Sequence, residues 1–153
     1  MSTPEERIAE LGLELPEVAA PLASYVPTAR TGALVYTAGQ LPLVKGELPL
    51  TGKVGAEVSA EQAVAQARIC ALNAIAALKA EVGELSRIVR IVKVVGFVAS
   101  TPDFTGQPQV VNGASELLGE VFGEAGRHAR SAVGVAVLPR DAAVEVELIA
   151  EVS

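Results

Sequence analysis

Among its 153 residues the chain has one cysteine, one histidine, one methionine and no tryptophan. A lone cysteine cannot make an internal disulfide framework and points to a reducing compartment. With a single histidine beside it, no zinc site of the usual Cys/His type can form within one chain. Two Tyr and three Phe are too few for an aromatic platform that stacks single-stranded nucleic acid. Positive charge is in deficit as well: 12 Lys and Arg against 18 Asp and Glu leave a net charge of −6. Binding phosphate or an anionic membrane requires concentrated Lys and Arg, so neither nucleic acid nor a membrane surface is an expected partner. The longest charge-free stretch, Thr31 to Val44, is fourteen residues and is broken by Gly and Pro, too short to cross a bilayer. Residues 1–14 carry four Glu and one Arg, the wrong sign for a secretory leader. The expected location is cytoplasmic. No Gly-rich phosphate loop and no Gly-x-Ser-x-Gly elbow occurs, and no cofactor or metal is expected.

What is present is globular. Half of the residues are hydrophobic and 20% are charged, the mix of one domain spanning residues 1–153, with residues 1–20 as a helical N-terminal extension. Thr3-Pro4-Glu5-Glu6 has the form of a capping box with Pro in the first turn, and Gly12 ends that helix. Leu13 to Pro27 is rich in Pro and Ala and looks like an extended arm. Ala33–Ala38 is a strand between Gly32 and Gly39, and Leu41–Leu50 is a second strand or a hairpin around Lys45-Gly46. A second capping box, Ser59 to Gln62, opens a long helix with an apolar stripe through Ala63, Ala67, Cys70, Ala71, Ala74, Leu78 and Val82. Ile88–Val98 is a β-branched strand, Gln109–Phe122 a helix, and Ala132–Val137 and Ala143–Val152 two further strands. The order β-β-α-β-α-β-β implies a two-layer α+β domain with both helices on one sheet face. Apolar residues at Val89/Ile91, Val133/Val135/Val137 and Val144/Val146/Leu148 exceed what two helices can cover. The surplus predicts a homo-oligomer.

The chemistry-bearing residues are few. Cys70 lies on the apolar stripe and reads as core, and His128 reads as a loop residue. Arg130 precedes a strand. Glu145 and Glu147 alternate with valines and project from one face of the last strand. Two readings of these carboxylates stand: both face solvent, or one meets Arg130 at a subunit boundary. There an arginine can hold a substrate carboxylate bidentately, and a desolvated Glu can pass protons to and from water. A bulge in the last strand would re-aim both carboxylates and put Glu147 in place of Glu145.

Three stretches carry a family resemblance. They are Tyr25 with Thr37-Ala38-Gly39-Gln40-Leu41-Pro42, Asn112 within Val110–Ala114, and Ala129-Arg130-Ser131-Ala132-Val133-Gly134-Val135 followed by Leu138-Pro139 and Val144–Ala150. Together they resemble the Rid family of reactive-intermediate deaminases, also called YjgF, many of whose members are known as endoribonuclease L-PSP. The resemblance implies a chorismate-mutase-like α+β fold, a mixed sheet with two helices on one face, assembled as a homotrimer with active sites in the intersubunit clefts. It also implies hydrolysis of a small 2-imino acid to a 2-keto acid and ammonia without a cofactor. Arg130 would clamp the substrate carboxylate, Glu145 would activate water, and Tyr25 would line the pocket. Gly39, Ala38, Asn112 and Ser131 fall at substrate-binding positions. Ala38 stands where many deaminating members have Ser, Ala132 where well-studied ones have Cys, and Val26-Pro27 follows Tyr25. The long arm before Tyr25 and extra residues around Gly106–Asn112 mark a longer, divergent subgroup. Two other functions compete: a non-catalytic trimer that binds small carboxylates or a protein partner, and, ranked last, a ribonuclease or translation inhibitor.

Overall fold

Thr3 Oγ1 accepts the Glu6 amide at 3.1 Å and the Glu6 carboxylate accepts the Thr3 amide at 3.2 Å, so the expected capping box opens α1 (Pro4–Glu10). The computed structural model describes residues 2–18 and 24–153. The middle of the expected arm lies outside that range, and the described residues on either side of it are neither helix nor strand. The remaining elements are β1 (Thr28–Thr31), β2 (Leu34–Thr37), α2 (Ala60–Val82), β3 (Ile88–Ala99), α3 (Gln107–Phe122), β4 (Ala129–Val135) and β5 (Val144–Val152). They form a five-stranded mixed sheet in the order β1-β2-β5-β3-β4, antiparallel except between β3 and β4. This is the two-layer α+β architecture expected.

The element order matches the expectation, but its first pair does not. The partner of β2 is β1, across a turn at Gly32-Ala33. Leu41–Leu50 is not a strand of the sheet, because both edges of β2 are already taken by β1 and β5; the hairpin alternative holds in its smallest form, with Val44 and Glu47 bonded to each other across Lys45-Gly46. Thr-Ala-Arg-Thr shows no apolar alternation because β1 is an edge strand whose residues stay largely exposed.

Burial alternates strictly along β5, with Val144, Val146, Leu148, Ala150 and Val152 buried and the residues between them half-exposed. The buried set lies under α2 and α3 together with Ile91, Val94 and Val98 of β3. This corrects the expected apolar surplus: Ile91, Val144, Val146 and Leu148 are covered after all. The uncovered face is carried by Tyr36, Val133 (44% exposed), Val95, Phe97 and Ile149. Although α2 has the length and hydropathy of a membrane span, its stripe from Ala63 to Val82 is buried and it is a core helix. Gly96 lets α3 lie directly on β3. A Cβ there would come within 2.7 Å of Val111 Cγ1 and nearer still to Cγ2.

The helix α1 ties down the far end of the helical layer. Its Ile8 is buried, and Arg7 Nη1 donates to the Val121 carbonyl at 3.2 Å, one of the orphan carbonyls at the end of α3. Burial opposes ionisation of Glu5. The hydrogen bonds from Lys79 Nζ at 2.7 Å and the Leu85 amide at 2.9 Å outweigh it, and the carboxyl sits below its ordinary value of 4.5. Glu5 therefore stabilises the fold above that pH and loses its contribution as the pH falls through the lowered value. Glu5→Gln should lower the melting temperature near neutral pH by the equivalent of about 1 kcal/mol, and the gap should close in strong acid. A gap that persisted unchanged in acid would assign the loss to packing instead of charge.

Candidate functional site

Arg130 does not precede a strand, as expected, but lies inside one. Pairing of β4 with β3 begins at Lys93/Ala129, three residues earlier than the apolar pattern suggests, so the pleat of β4 aims the arginine. It stands opposite Val94, a fully buried helix-face residue, and so points toward α3. There Nη1 donates to Asn112 Oδ1 at 2.7 Å and to Ser115 Oγ at 3.2 Å, and Nη2 donates to the Pro108 carbonyl at 3.2 Å. Residues 108, 112 and 115 share one face of a helix. A guanidinium has five N–H groups; these three bonds orient it and leave two for a ligand.

Glu145 belongs to the other face. It pairs with Phe97, on the side of the sheet away from the helices. The register of β2 against β5 slips here: Tyr36 faces Ile149, but Gln40 faces Val146, so Ala38-Gly39 holds one extra residue. In this bulge the Leu148 amide bonds to Thr37 Oγ1 at 3.1 Å. The bulge also sets the Gly39 backbone against the Glu145 carboxylate, where a Cβ would fall within 2.9 Å of Cδ and still closer to Oε2. Any side chain at residue 39 would push that carboxylate aside. Burial, and after it the charge of Glu147, raises the Glu145 pKa above its ordinary value of 4.5. The irregularities of β3 fall between Ile88 and Lys93, and β5 keeps its alternation, so Glu145 and Glu147 do share a face. Glu145 is the one that packs against Gly39.

The expected residues thus form two groups. Arg130 and Asn112 meet on the helix side. Glu145, Gly39 and Ala38 meet at the bulge, and the Ala38 amide bonds to the Pro27 carbonyl at 2.8 Å, which brings the chain segment after Tyr25 alongside. Tyr25 itself is 47% exposed. Ser131 faces away from Arg130, on the side of Val95 and Glu147. Within one chain the structure does not unite the two groups. Neither Arg130 nor Glu145 belongs to any ion pair among the described residues. Ser115 is the contact that pattern reading missed, though its spacing of three from Asn112 on a helix was available as a signal. His128 lies in a loop, as expected, but its ring is engaged: Nε2 is 2.9 Å from Ser115 Oγ and Nδ1 is 2.7 Å from the Gly126 carbonyl. Cys70 is fully buried, and burial, with Glu145 second, pushes its thiol well above the ordinary value, so it stays protonated. Among the described residues no three His, Cys, Asp or Glu side chains gather to hold a metal ion.

Over residues 5–152 the chain matches the family model described as "YjgF/chorismate_mutase-like, putative endoribonuclease". It is 45% identical over 144 residues to Protein TCP17 of Trypanosoma cruzi, covering 94% of this chain and 90% of that protein. A crystal structure described as "a putative endoribonuclease" from Shewanella oneidensis is 42% identical, covers 99% of this chain and 100% of its own, and superposes with a TM-score of 0.96. The crystal structure of E. coli TdcF with bound serine is more distant, at 26% identity, 90% and 94% coverage and a TM-score of 0.64.

A carboxylate with a raised pKa costs stability once it must ionise. Its contribution is fully present below pH 4.5 and is lost as the pH rises through the raised value. Glu145→Gln should therefore raise the melting temperature near neutral pH and leave it unchanged in acid. Equal melting temperatures at all pH values would show that Glu145 ionises as freely in the folded chain as in the unfolded one.

Proposed function

The chain belongs to the YjgF/chorismate-mutase-like family, and from that footing we propose that it is a hydrolytic deaminase of small 2-imino acids. The observation that carries the reading is Arg130: a half-buried guanidinium held by Asn112, Ser115 and the Pro108 carbonyl, with two N–H groups left over. Two parallel N–H groups suit a carboxylate, and TdcF, a relative, has been crystallised with serine, an amino acid that carries one. The reaction adds water to the C=N carbon. The water oxygen becomes the keto oxygen, both of its hydrogens pass to nitrogen, and ammonia leaves. The imine is already electrophilic, so positioning the water and moving its protons can provide much of the rate.

In this reading Arg130 clamps the carboxylate and Asn112 holds Arg130 in place. Glu145, with a pKa raised by burial, takes a proton from the attacking water and returns it to nitrogen. Gly39 leaves room for substrate beside that carboxylate, and Ala38, Ser131 and Tyr25 line the approach. Arg130 and Glu145 face opposite sides of one sheet, so both can reach one substrate only if two copies supply them. The apolar open face, with Tyr36, Phe97 and Val133, provides a surface on which copies could pack, and the arrangement we propose is a homotrimer with shared clefts. The reading as a small-carboxylate binder without turnover draws on Ala38 and Ala132, which lack the hydroxyl and the thiol that deaminating relatives carry at those positions. Cleavage of RNA fits less well, because the chain carries a net charge of −6 and few aromatic side chains on which bases could stack.

The test couples a pyridoxal-phosphate dehydratase to this protein and follows loss of the imine it releases. Arg130→Ala should reduce the acceleration on the order of 100-fold, the cost of losing a charged bidentate contact. Glu145→Gln should cost on the order of 100-fold or more in kcat while the binding of 2-oxobutanoate is retained. Binding of 2-oxobutanoate through Arg130 with no acceleration of imine loss would replace the deaminase reading with the binder.

A further inference from the structure

The bond from Arg130 to Ser115 is one link of a longer relay. The Gly126 carbonyl can only accept, so the nitrogen 2.7 Å from it, His128 Nδ1, carries the ring proton. That fixes the tautomer of the neutral ring and makes Nε2 an acceptor. Ser115 Oγ, 2.9 Å from Nε2, then donates its hydrogen there. Its lone pairs face the remaining neighbour, Arg130 Nη1 at 3.2 Å. Each group in the row from Gly126 through His128 and Ser115 to Arg130 has its donor or acceptor role set by the one before.

The consequence appears in the guanidinium itself. Nη1 has two hydrogens, and Asn112 and Ser115 take both. Nη2 has two, and the Pro108 carbonyl takes one. By subtraction, the two free hydrogens are one on Nη2 and the one on Nε. With both Nη1 hydrogens taken, Nε and Nη2 are the adjacent nitrogens that each still offer one, and their edge is the one left for a bidentate carboxylate. Without the Ser115 oxygen Nη1 keeps one acceptor instead of two, and the guanidinium is oriented by two bonds instead of three.

We propose that His128 and Ser115 are positioning residues for Arg130, acting through the relay to hold its free Nε–Nη2 edge in place for the substrate carboxylate. This rests on the reading of Arg130 as the carboxylate clamp and adds to it two residues that touch no substrate.

The experiment measures the dissociation constant of 2-oxobutanoate for the full chain and its variants, with melting temperature as the folding control, and then KM and kcat in the imine assay. Ser115→Ala should weaken 2-oxobutanoate about five- to tenfold, the effect of one net hydrogen bond, and should raise KM more than it lowers kcat. Ser115→Thr, which keeps the hydroxyl, should stay close to wild type. His128→Phe, which fills the ring's space without a nitrogen, should behave like Ser115→Ala, and His128→Gln, which restores an acceptor, should recover part of the loss. A role in packing alone predicts the reverse order, with Ala tolerated and the bulkier Thr harmful. That order, or unchanged affinity in Ser115→Ala and His128→Phe while Arg130→Ala loses binding, overturns the positioning role and leaves the clamp intact. If Arg130→Ala binds 2-oxobutanoate as wild type does, or wild type does not bind it, the clamp fails and the positioning role fails with it.

Discussion

The two-residue repeat of the sheet is the constraint on which the other features depend. β5 sits at the centre, hydrogen-bonded to β2 on one side and β3 on the other, and alternates buried and half-exposed residues along its whole length. One set of its side chains forms the floor of the core under α2 and α3. The other set, Glu145, Glu147, Ile149 and Glu151, has no helix above it. Because cross-strand partners share a face, this alternation passes through β3 to β4 and decides where Arg130 points. A slip of one residue anywhere in that ladder would turn the core outward. The irregular places are accordingly few, lying at the start of β3 and at Ala38-Gly39 of the β2 segment.

The second irregularity and the close helix contact each belong to one half of the candidate site. At the bulge the chain carries one extra residue, the Thr37 hydroxyl takes over the Leu148 amide, and the backbone of Gly39 comes against Glu145. On the opposite face Gly96 lets Val111 sit on β3. That contact lowers α3 onto the sheet far enough for Asn112 and Ser115 to reach the edge strand. Neither feature is needed for a generic two-layer domain. Each sets the position of one charged side chain.

Much of this was legible in the sequence where a local rule applies. Both capping boxes, the α2 stripe and the core position of Cys70 follow from short-range pattern, and the structure has them. The C-terminal block around Arg130 and Glu145 was specific enough to name the family. Less was legible where the partner is distant in sequence. β1 has no apolar alternation, because an edge strand exposed on both sides has no need of one. The start of β4 at Ala129 is fixed by its pairing with Lys93, which no window around residue 130 contains. The link from His128 to Arg130 passes through Ser115 on another element, so each residue taken alone looks like a surface loop or helix residue.

Keeping Arg130 and Glu145 on opposite faces has a chemical rationale beyond geometry. An arginine beside a glutamate in one chain forms an ion pair, and that pair has two effects. It lowers the carboxyl pKa, since an opposite charge favours the ionised form, and it occupies the N–H edge that a substrate carboxylate would use. Here burial and the like charge of Glu147 act on Glu145 without a cation to offset them, which raises its pKa. Among the described residues the guanidinium is held by neutral acceptors: an amide oxygen, a hydroxyl and a carbonyl. Neutral acceptors orient a cation without cancelling its charge. The fold thus keeps a carboxyl with a raised pKa and a cation held by neutral groups on opposite faces of one sheet; in the proposed reading a second copy brings the two to a common ligand.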